Sequence, residues 1–181
     1  SCTEAIRVRL DDSVVHCIDE SGLDLSQTPT IAMGDPIVRR RDGVVAYQLA
    51  VVADDIAAGV NRIVRGRDIA PSTATQISLY HLLAATPPRY RHHFLLLEPR
   101  TDDDGSAIKL AKLHGAIPFA QLKQRYDATT LLGQLAFAAN LRPSPAPVQA
   151  NDLLENFAWA SVQNQDVIAR WQPDQGLTFE A

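Results

Sequence analysis

Two lysines three residues apart, Lys109 and Lys112, stand in the run Lys109-Leu-Ala-Lys-Leu-His-Gly115. The run follows an apolar stretch from Phe94 to Leu97 and an acidic turn at Asp102-Asp-Asp-Gly105. That order predicts two ammonium groups on a turn at the carboxyl end of a strand, where open α/β sheets bind nucleotides. Lysine is a compact point charge suited to phosphate. Alone the pair is a weak signal, because most such charges are solvated and worth little. A second basic run is Arg62-Ile-Val-Arg-Gly-Arg-Asp68, whose Arg65 reads by itself as a solvated charge in a basic loop.

The elements that must carry these groups are legible in outline. Ala5 to Leu10 alternates apolar and basic residues, the period of a half-exposed strand, and Val14 to Ile18 reads as a second strand beyond the Asp11-Asp-Ser13 turn. Pro36 to Tyr47 contains Arg41-Asp-Gly43, an Asp-Gly hairpin signal. From Tyr47 the apolar residues fit a helix or a buried strand equally. Val60 to Val64 is a strand, and Pro71-Ser-Thr opens a helix with apolar positions at Ile77, Leu79 or Tyr80, Leu82 and Leu83. A strand over Phe94–Leu97 completes a strand–helix–strand order that predicts a parallel, right-handed crossover. Beyond Gly115, helices are expected over Phe119–Tyr126 and Thr130–Leu141. A stiff Pro143-Ser-Pro-Ala-Pro147 segment follows, then one or two further helices between Asn151 and Trp171. This places a partial Rossmann-like domain with a hairpin insert at 1–116 and a small helical subdomain at 117–181.

Composition narrows the function classes. With 181 residues, 46% hydrophobic and 21% charged, the chain reads as an ordinary globular protein of one or two domains. No run approaches the ~20 apolar residues that span a bilayer, so a cytoplasmic location without membrane partners is expected. Cys2 and Cys17 form no zinc-spaced set, and the neighbours His92 and His93 point to opposite faces of a strand, so no metal site is expected. A net charge of −4 argues against bulk capture of nucleic acid, yet Arg39, Arg40, Arg41, Arg62, Arg65 and Arg67 cluster early, with Arg89 and Arg91 later. They fit a basic patch or a set of solvated loop ends equally well.

Taken together, and in this order, the motifs from about Ala5 to about Lys123 resemble the second half of the catalytic domain of class I glutamyl-tRNA synthetases. The nearest resemblance is to the short relatives called glutamyl-Q tRNA(Asp) synthetases, and Val51 is similar to that branch. The resemblance implies a Rossmann-type α/β fold and an ATP-dependent activation of glutamate, with Mg2+ accompanying the ATP. Lys109, Leu110, Ala111, Lys112 and Leu113 fall on the family's Lys-Met-Ser-Lys-Ser-type signature, which makes Lys112 and Lys109 the catalytic candidates. Ala111 removes a hydroxyl donor from that signature and Leu113 a basic residue, and both changes weaken phosphate recognition.

By the same resemblance Tyr47 and Arg65 hold the glutamate, while Asp68, His92 and His114 are weaker nucleotide- or tRNA-contacting candidates. The implied partners are glutamate, ATP and tRNA(Asp) or another tRNA, the acceptor being queuosine. The family's His-Ile-Gly-His-type signature and the zinc-binding cysteines of its Q-type members have no match here. The chain is therefore expected to be part of a longer enzyme or a shortened relative, completed by a first half or by a protein partner. The alternative reading is a non-catalytic synthetase paralogue that binds RNA, a nucleotide or a protein.

Overall fold

The computed structural model describes residues 4–101, 107–109, 117–172 and 174–180, with backbone alone at 100, 101 and 107–109. The chain divides into two compact units, Ser1–His92 and His93–Ala181. The sequence places its boundary later, at 116/117.

In the first unit, β1 (Ile6–Arg7) pairs antiparallel with β2 (Ile37–Arg39), in the register Ile6 to Arg39 and Arg7 to Ile37. The expected hairpin between 5–10 and 14–18 does not form. Val15 and Ile18 instead bridge to Gln27 and Asp24, and a short helix, α1 (Pro29–Ala32), follows. Asp35 explains the exchange: its carboxylate accepts the Leu10 N–H at 3.0 Å, and its carbonyl accepts from Arg7 at 2.6 Å. These long-range bonds tie the first strand to the segment before β2 rather than to its sequence neighbour.

The Asp-Gly turn forms as its residues require. Gly43 sits at φ 83°, and the Arg40 N–H meets the Val44 carbonyl at 2.8 Å. The segment after Tyr47 is helix, α2 (Tyr47–Ala57), closed by Gly59 at φ 66°. Its Val52, 1% exposed, packs with Val38, Leu79 and Tyr80 into the core, with Val8, Leu49, Val51 and Ala85 against them. Burial on this face, and not local propensity, selects helix over strand.

β3 (Arg62–Gly66) runs into a 3-10 helix (Arg67–Ser72), then α3 (Thr73–Leu82), then β4 (Arg89–His93), which pairs with β3. The strand–helix–strand order is as expected, but two details are not. The buried side of α3 is Thr73, Ala74, Thr75, Gln76, Ile77, Leu79 and Tyr80, while Leu82 and Leu83 are exposed. Two strands also stand where one was expected: β4 carries Arg-Tyr-Arg-His-His, with Tyr90, Arg91 and His92 buried, and a further strand, overlapping the expected Phe94–Leu97, begins at Leu96. A search for apolar runs overlooks β4, because its buried groups are polar, Arg91 and His92 satisfied by hydrogen bonds and Tyr90 burying its ring.

The second unit holds a sheet of order β6-β5-β7-β8. β5 (Leu96–Thr101) pairs antiparallel with β6 (Ala107–Lys109) and parallel with β7 (Val167–Gln172), which turns back antiparallel to β8 (Gly176–Glu180). Helices α4 (Phe119–Arg125), α5 (Ala128–Ala138) and α6 (Ala150–Glu155), with a 3-10 turn at Trp159–Ser161, lie between β6 and β7. β7 and β8 thus pair as a β-hairpin, where helix was expected up to Trp171. Val167 and Ala169 are buried on alternate positions, Gly176 takes φ 85° at the turn, and the Asp166 carboxylate accepts the Leu95 N–H at 2.7 Å. The strand period of 2 over Val167, Ala169 and Trp171 was the available signal.

α5 is capped by Asp127, whose carboxylate accepts the Thr130 N–H at 2.7 Å and the Thr129 hydroxyl at 2.9 Å. The proline-rich segment lies against it at Gly133, where a Cβ would collide with the Ala146 carbonyl. Among the described residues no helix is long and apolar enough to cross a membrane.

Candidate functional site

Arg65, on β3 just before Gly66, is the centre of a hydrogen-bonded cluster inside the first unit. Its Nε donates to His92 Nε2 at 3.0 Å, Nη1 to Gln76 Oε1 at 2.7 Å and Nη2 to Thr73 Oγ1 at 2.8 Å. The guanidinium also lies over the Tyr90 ring, 5.1 Å from its centroid. A guanidinium has five N–H donors. Three are spent on the scaffold, which leaves one on each terminal nitrogen without an acceptor among the described residues. Those two are the donors left over for a ligand such as a carboxylate.

The partners of Arg65 are positioned by the fold around them. Gln76 lies in the buried part of α3, and its amide donates to Gln48 Oε1 at 2.9 Å; Gln48 in turn donates to Ser72 Oγ at 3.0 Å. His92, 2% exposed, is held from behind by Asp19. One Asp19 oxygen accepts the His92 backbone N–H at 2.7 Å and lies 2.9 Å from the ring Nδ1. The other accepts the Ser21 hydroxyl at 2.6 Å, the Ser21 N–H at 2.8 Å and the Leu23 N–H at 3.1 Å.

Arginine can only donate, so His92 Nε2 is an acceptor and the ring proton sits on Nδ1, facing Asp19. The Asp19 carboxyl is drawn down to about 2. Burial pushes it upward, and the hydrogen bonds from Ser21, from both N–H groups of His92 and from Leu23 outweigh that push. Burial draws the Arg65 guanidinium below its ordinary value. The groups opposing that are, in order, Tyr90, Tyr47, Asp55 and Asp68.

Of the residues singled out from sequence, Tyr47, Arg65, Asp68 and His92 all belong to this neighbourhood. Tyr47 opens α2 with its ring 55% exposed, and Asp68 is exposed in the 3-10 helix after β3; both act on the Arg65 charge. His92 is buried. Its side chain is fully enclosed, with Asp19 on one nitrogen and Arg65 on the other. The lysine pair is different. Lys109 ends β6, its backbone alone described, while Lys112 and His114 lie outside the described residues.

Asp19, Thr73 and Gln76 were not singled out. The Asp-x-Ser spacing at 19–21 is an Asx-turn signal, but nothing local tells that the same carboxylate holds a histidine 73 residues away. Several of the arginines that fitted either a basic patch or solvated loop ends have partners within the unit. Arg62 pairs with Glu20, Arg89 lies 3.5 Å from it, Arg91 donates to the Glu20 carbonyl at 2.8 Å, and Arg40 pairs with Asp42 at 2.8 Å. No group of three or more His, Cys, Asp or Glu among the described residues could hold a metal ion.

The family model described as tRNA synthetases class I (E and Q), catalytic domain, matches residues 3–113. A glutamyl-Q tRNA(Asp) synthetase of Symbiobacterium thermophilum is 40% identical over 140 residues, covering 77% of this chain and 42% of that protein. One from Serratia proteamaculans is 37% identical over 168 residues, covering 93% of this chain and 50% of that protein. The chain thus spans 42% and 50% of the lengths of these two curated relatives. Among solved structures, a glutamate-tRNA synthetase from Elizabethkingia anophelis superposes with a TM-score of 0.70 at 19% identity, over 88% of this chain and 35% of that one. A glutamate tRNA ligase from Elizabethkingia meningosepticum in complex with its amino acid gives 0.68 at 18%, over the same shares. At such identities the solved structures speak for the fold, and that fold is the α/β fold of a class I synthetase catalytic domain.

Proposed function

The chain belongs to the class I tRNA synthetase family for E and Q, catalytic domain, and on that premise we propose that it is the carboxy-terminal part of a glutamyl-Q tRNA(Asp) synthetase-like enzyme. It would activate glutamate with ATP, accompanied by Mg2+, and transfer it to the queuosine of tRNA(Asp). The observation that carries the reading is the two N–H groups left over on Arg65, one on each terminal nitrogen, in a scaffold that uses its other three donors.

In this reading Arg65 grips one carboxylate of glutamate, with the exposed Tyr47 phenol beside it. A substrate carboxylate held rigidly can attack the α-phosphate of ATP in line, forming the acyl-phosphate bond and expelling pyrophosphate. Negative charge grows at phosphorus during that step, and the ammonium groups of Lys112 and Lys109 are the chain's candidates to balance it. Asp68, at the start of the 3-10 helix, and His114 are assigned to the acceptor side. The remaining half of the centre comes from a part of the enzyme with the family's first signature.

The test is glutamate-dependent pyrophosphate exchange by the full-length protein, followed by charging of queuosine-containing tRNA(Asp) and of tRNA(Glu). Exchange that falls with Arg65→Lys and with Lys112→Ala, and charging confined to tRNA(Asp), support the reading. Exchange indifferent to Arg65 overturns it. Binding of glutamate and RNA without any exchange points to the non-catalytic paralogue, which the Ala111 and Leu113 departures favour.

A further inference from the structure

We propose that Asp19 and His92 are positioning residues for Arg65: the buried Asp19–His92 pair closes on the guanidinium at Nε, fixes its plane and leaves its two remaining N–H groups for a carboxylate. This rests on the reading of Arg65 as the glutamate-binding group.

The geometry excludes the more usual roles of a histidine beside a substrate. Both ring nitrogens of His92 are occupied, Nδ1 by Asp19 at 2.9 Å and Nε2 by Arg65 at 3.0 Å, with the Thr73 hydroxyl also 3.4 Å from Nε2. Its side chain and that of Asp19 have no exposed surface. Neither nitrogen is therefore left for a proton transfer or a ligand. What the ring does is transmit an orientation. Asp19 is anchored by Ser21 and Leu23 of its own loop and takes both N–H groups of His92. The imidazole is stacked on Tyr90, with ring planes 13° apart. It thus presents one lone pair, in a fixed direction, to a donor that cannot invert its role.

The arrangement is sensitive to tautomer. In Asp19→Asn the side-chain oxygen stays with its three donors from Ser21 and Leu23, which turns the amide NH2 toward His92, leaving the His92 backbone N–H unmet and setting a donor against the ring Nδ1. The ring proton then moves to Nε2 and faces the Arg65 Nε–H, donor against donor. His92→Gln is the conservative counterpart. Its amide N–H can serve Asp19 and its oxygen can accept from Arg65, so the pattern survives. His92→Leu removes it.

The experiment uses the 15N-labelled full-length protein. Imidazole 15N shifts report the His92 tautomer, the Arg65 Nε–Hε resonance reports whether that bond persists, and calorimetry gives the glutamate and ATP dissociation constants. Expected are an Nδ1–H tautomer in the wild type and its inversion in Asp19→Asn. With the inversion the Arg65 Nε–Hε signal is lost and glutamate affinity falls at least about tenfold, the order seen when a group that orients a ligand-holding residue is removed. ATP affinity is retained, and His92→Gln stays within about threefold of wild type while His92→Leu does not.

An Arg65 signal and glutamate affinity unchanged in His92→Leu overturn the proposal, and this arm stands even where Asp19→Asn fails to fold. A wild-type protein that does not bind glutamate overturns the functional reading instead. The Arg65 resonance then still decides whether Asp19 and His92 position it.

Discussion

Arg65 Nε and His92 Nε2 lie 3.0 Å apart, and across that single bond a guanidinium and a neutral imidazole hold each other in place. The bond links β3 to β4, and through Asp19 it reaches back to a loop near the start of the chain. Charge, orientation and stability are therefore coupled at one point. A substitution at either end leaves a buried donor or acceptor unmet, which costs more than the bond itself contributes.

Arg65→Lys is expected to weaken glutamate binding and to destabilise the protein together. A lysine ammonium cannot reach His92, Gln76 and Thr73 from one planar group, so their acceptors are orphaned. The stability loss should be on the order of 2 to 3 kcal/mol. Urea unfolding checks it, with glutamate titration on the same sample. An unchanged unfolding midpoint would contradict the network.

Asp19 predicts an acid limb with a definite sign. Its carboxyl is lowered from 3.8 to about 2 in the folded protein, so its stabilisation is fully present above the unfolded value and is lost as pH falls through the folded one. The wild type should lose on the order of 2 kcal/mol between about pH 4 and pH 2 from this group. Asp19→Asn should be less stable at neutral pH and flatter through that window. Chemical denaturation at a series of pH values reads both curves, and parallel curves would count against the assignment.

Tyr90→Phe should stabilise the protein. The Tyr90 hydroxyl is buried without a hydrogen-bond partner among the described residues, and burial pushes the phenol well above its ordinary value. Removing it relieves an unmet polar group, a gain of about 1 kcal/mol. The ring under the Arg65 guanidinium is retained, so glutamate affinity should not move. Tyr90→Leu, which removes the ring, should lower both; thermal melts and calorimetry separate the pair.

Gly133→Ala should be destabilising although alanine is the better helix former. The change gains about 1 kcal/mol of helix propensity. A Cβ there meets the Ala146 carbonyl, which is backbone and cannot rotate away. Overpacking of this kind costs about 1 to 3 kcal/mol, so a net loss of about 1 kcal/mol is expected. A melting temperature at or above the wild type would show that the Pro143–Pro147 segment does not sit against α5 as described.

Features encoded by near neighbours were readable from the chain alone. The Asp-Gly turn at 42–43, the strand at Val60–Val64, the helix entered through Pro71 and the two helices after Gly115 depend on turn chemistry, helix-end residues and apolar periodicity within a few positions. The ordered motifs between Ala5 and Lys123 identified the family for the same reason, since a motif is a local string. The hairpin of the first twenty residues was misread because Asp35, 25 residues beyond Leu10, captures the first strand. The strand over Arg89–His93 was missed because polar groups fill its buried face.

What the sequence by itself determined was the class of fold and the family. Tertiary structure alone decided that His92 is buried against Arg65, that Asp19 anchors it, and that Gln76 and Thr73 accept from the guanidinium as well. The physical reason is separation along the chain. Asp19 and His92 are 73 residues apart and Arg65 and His92 are 27, so their pairing depends on loops and strands that meet only once the core has closed. Periodicity records which face is buried; it does not record which polar atom will be waiting there.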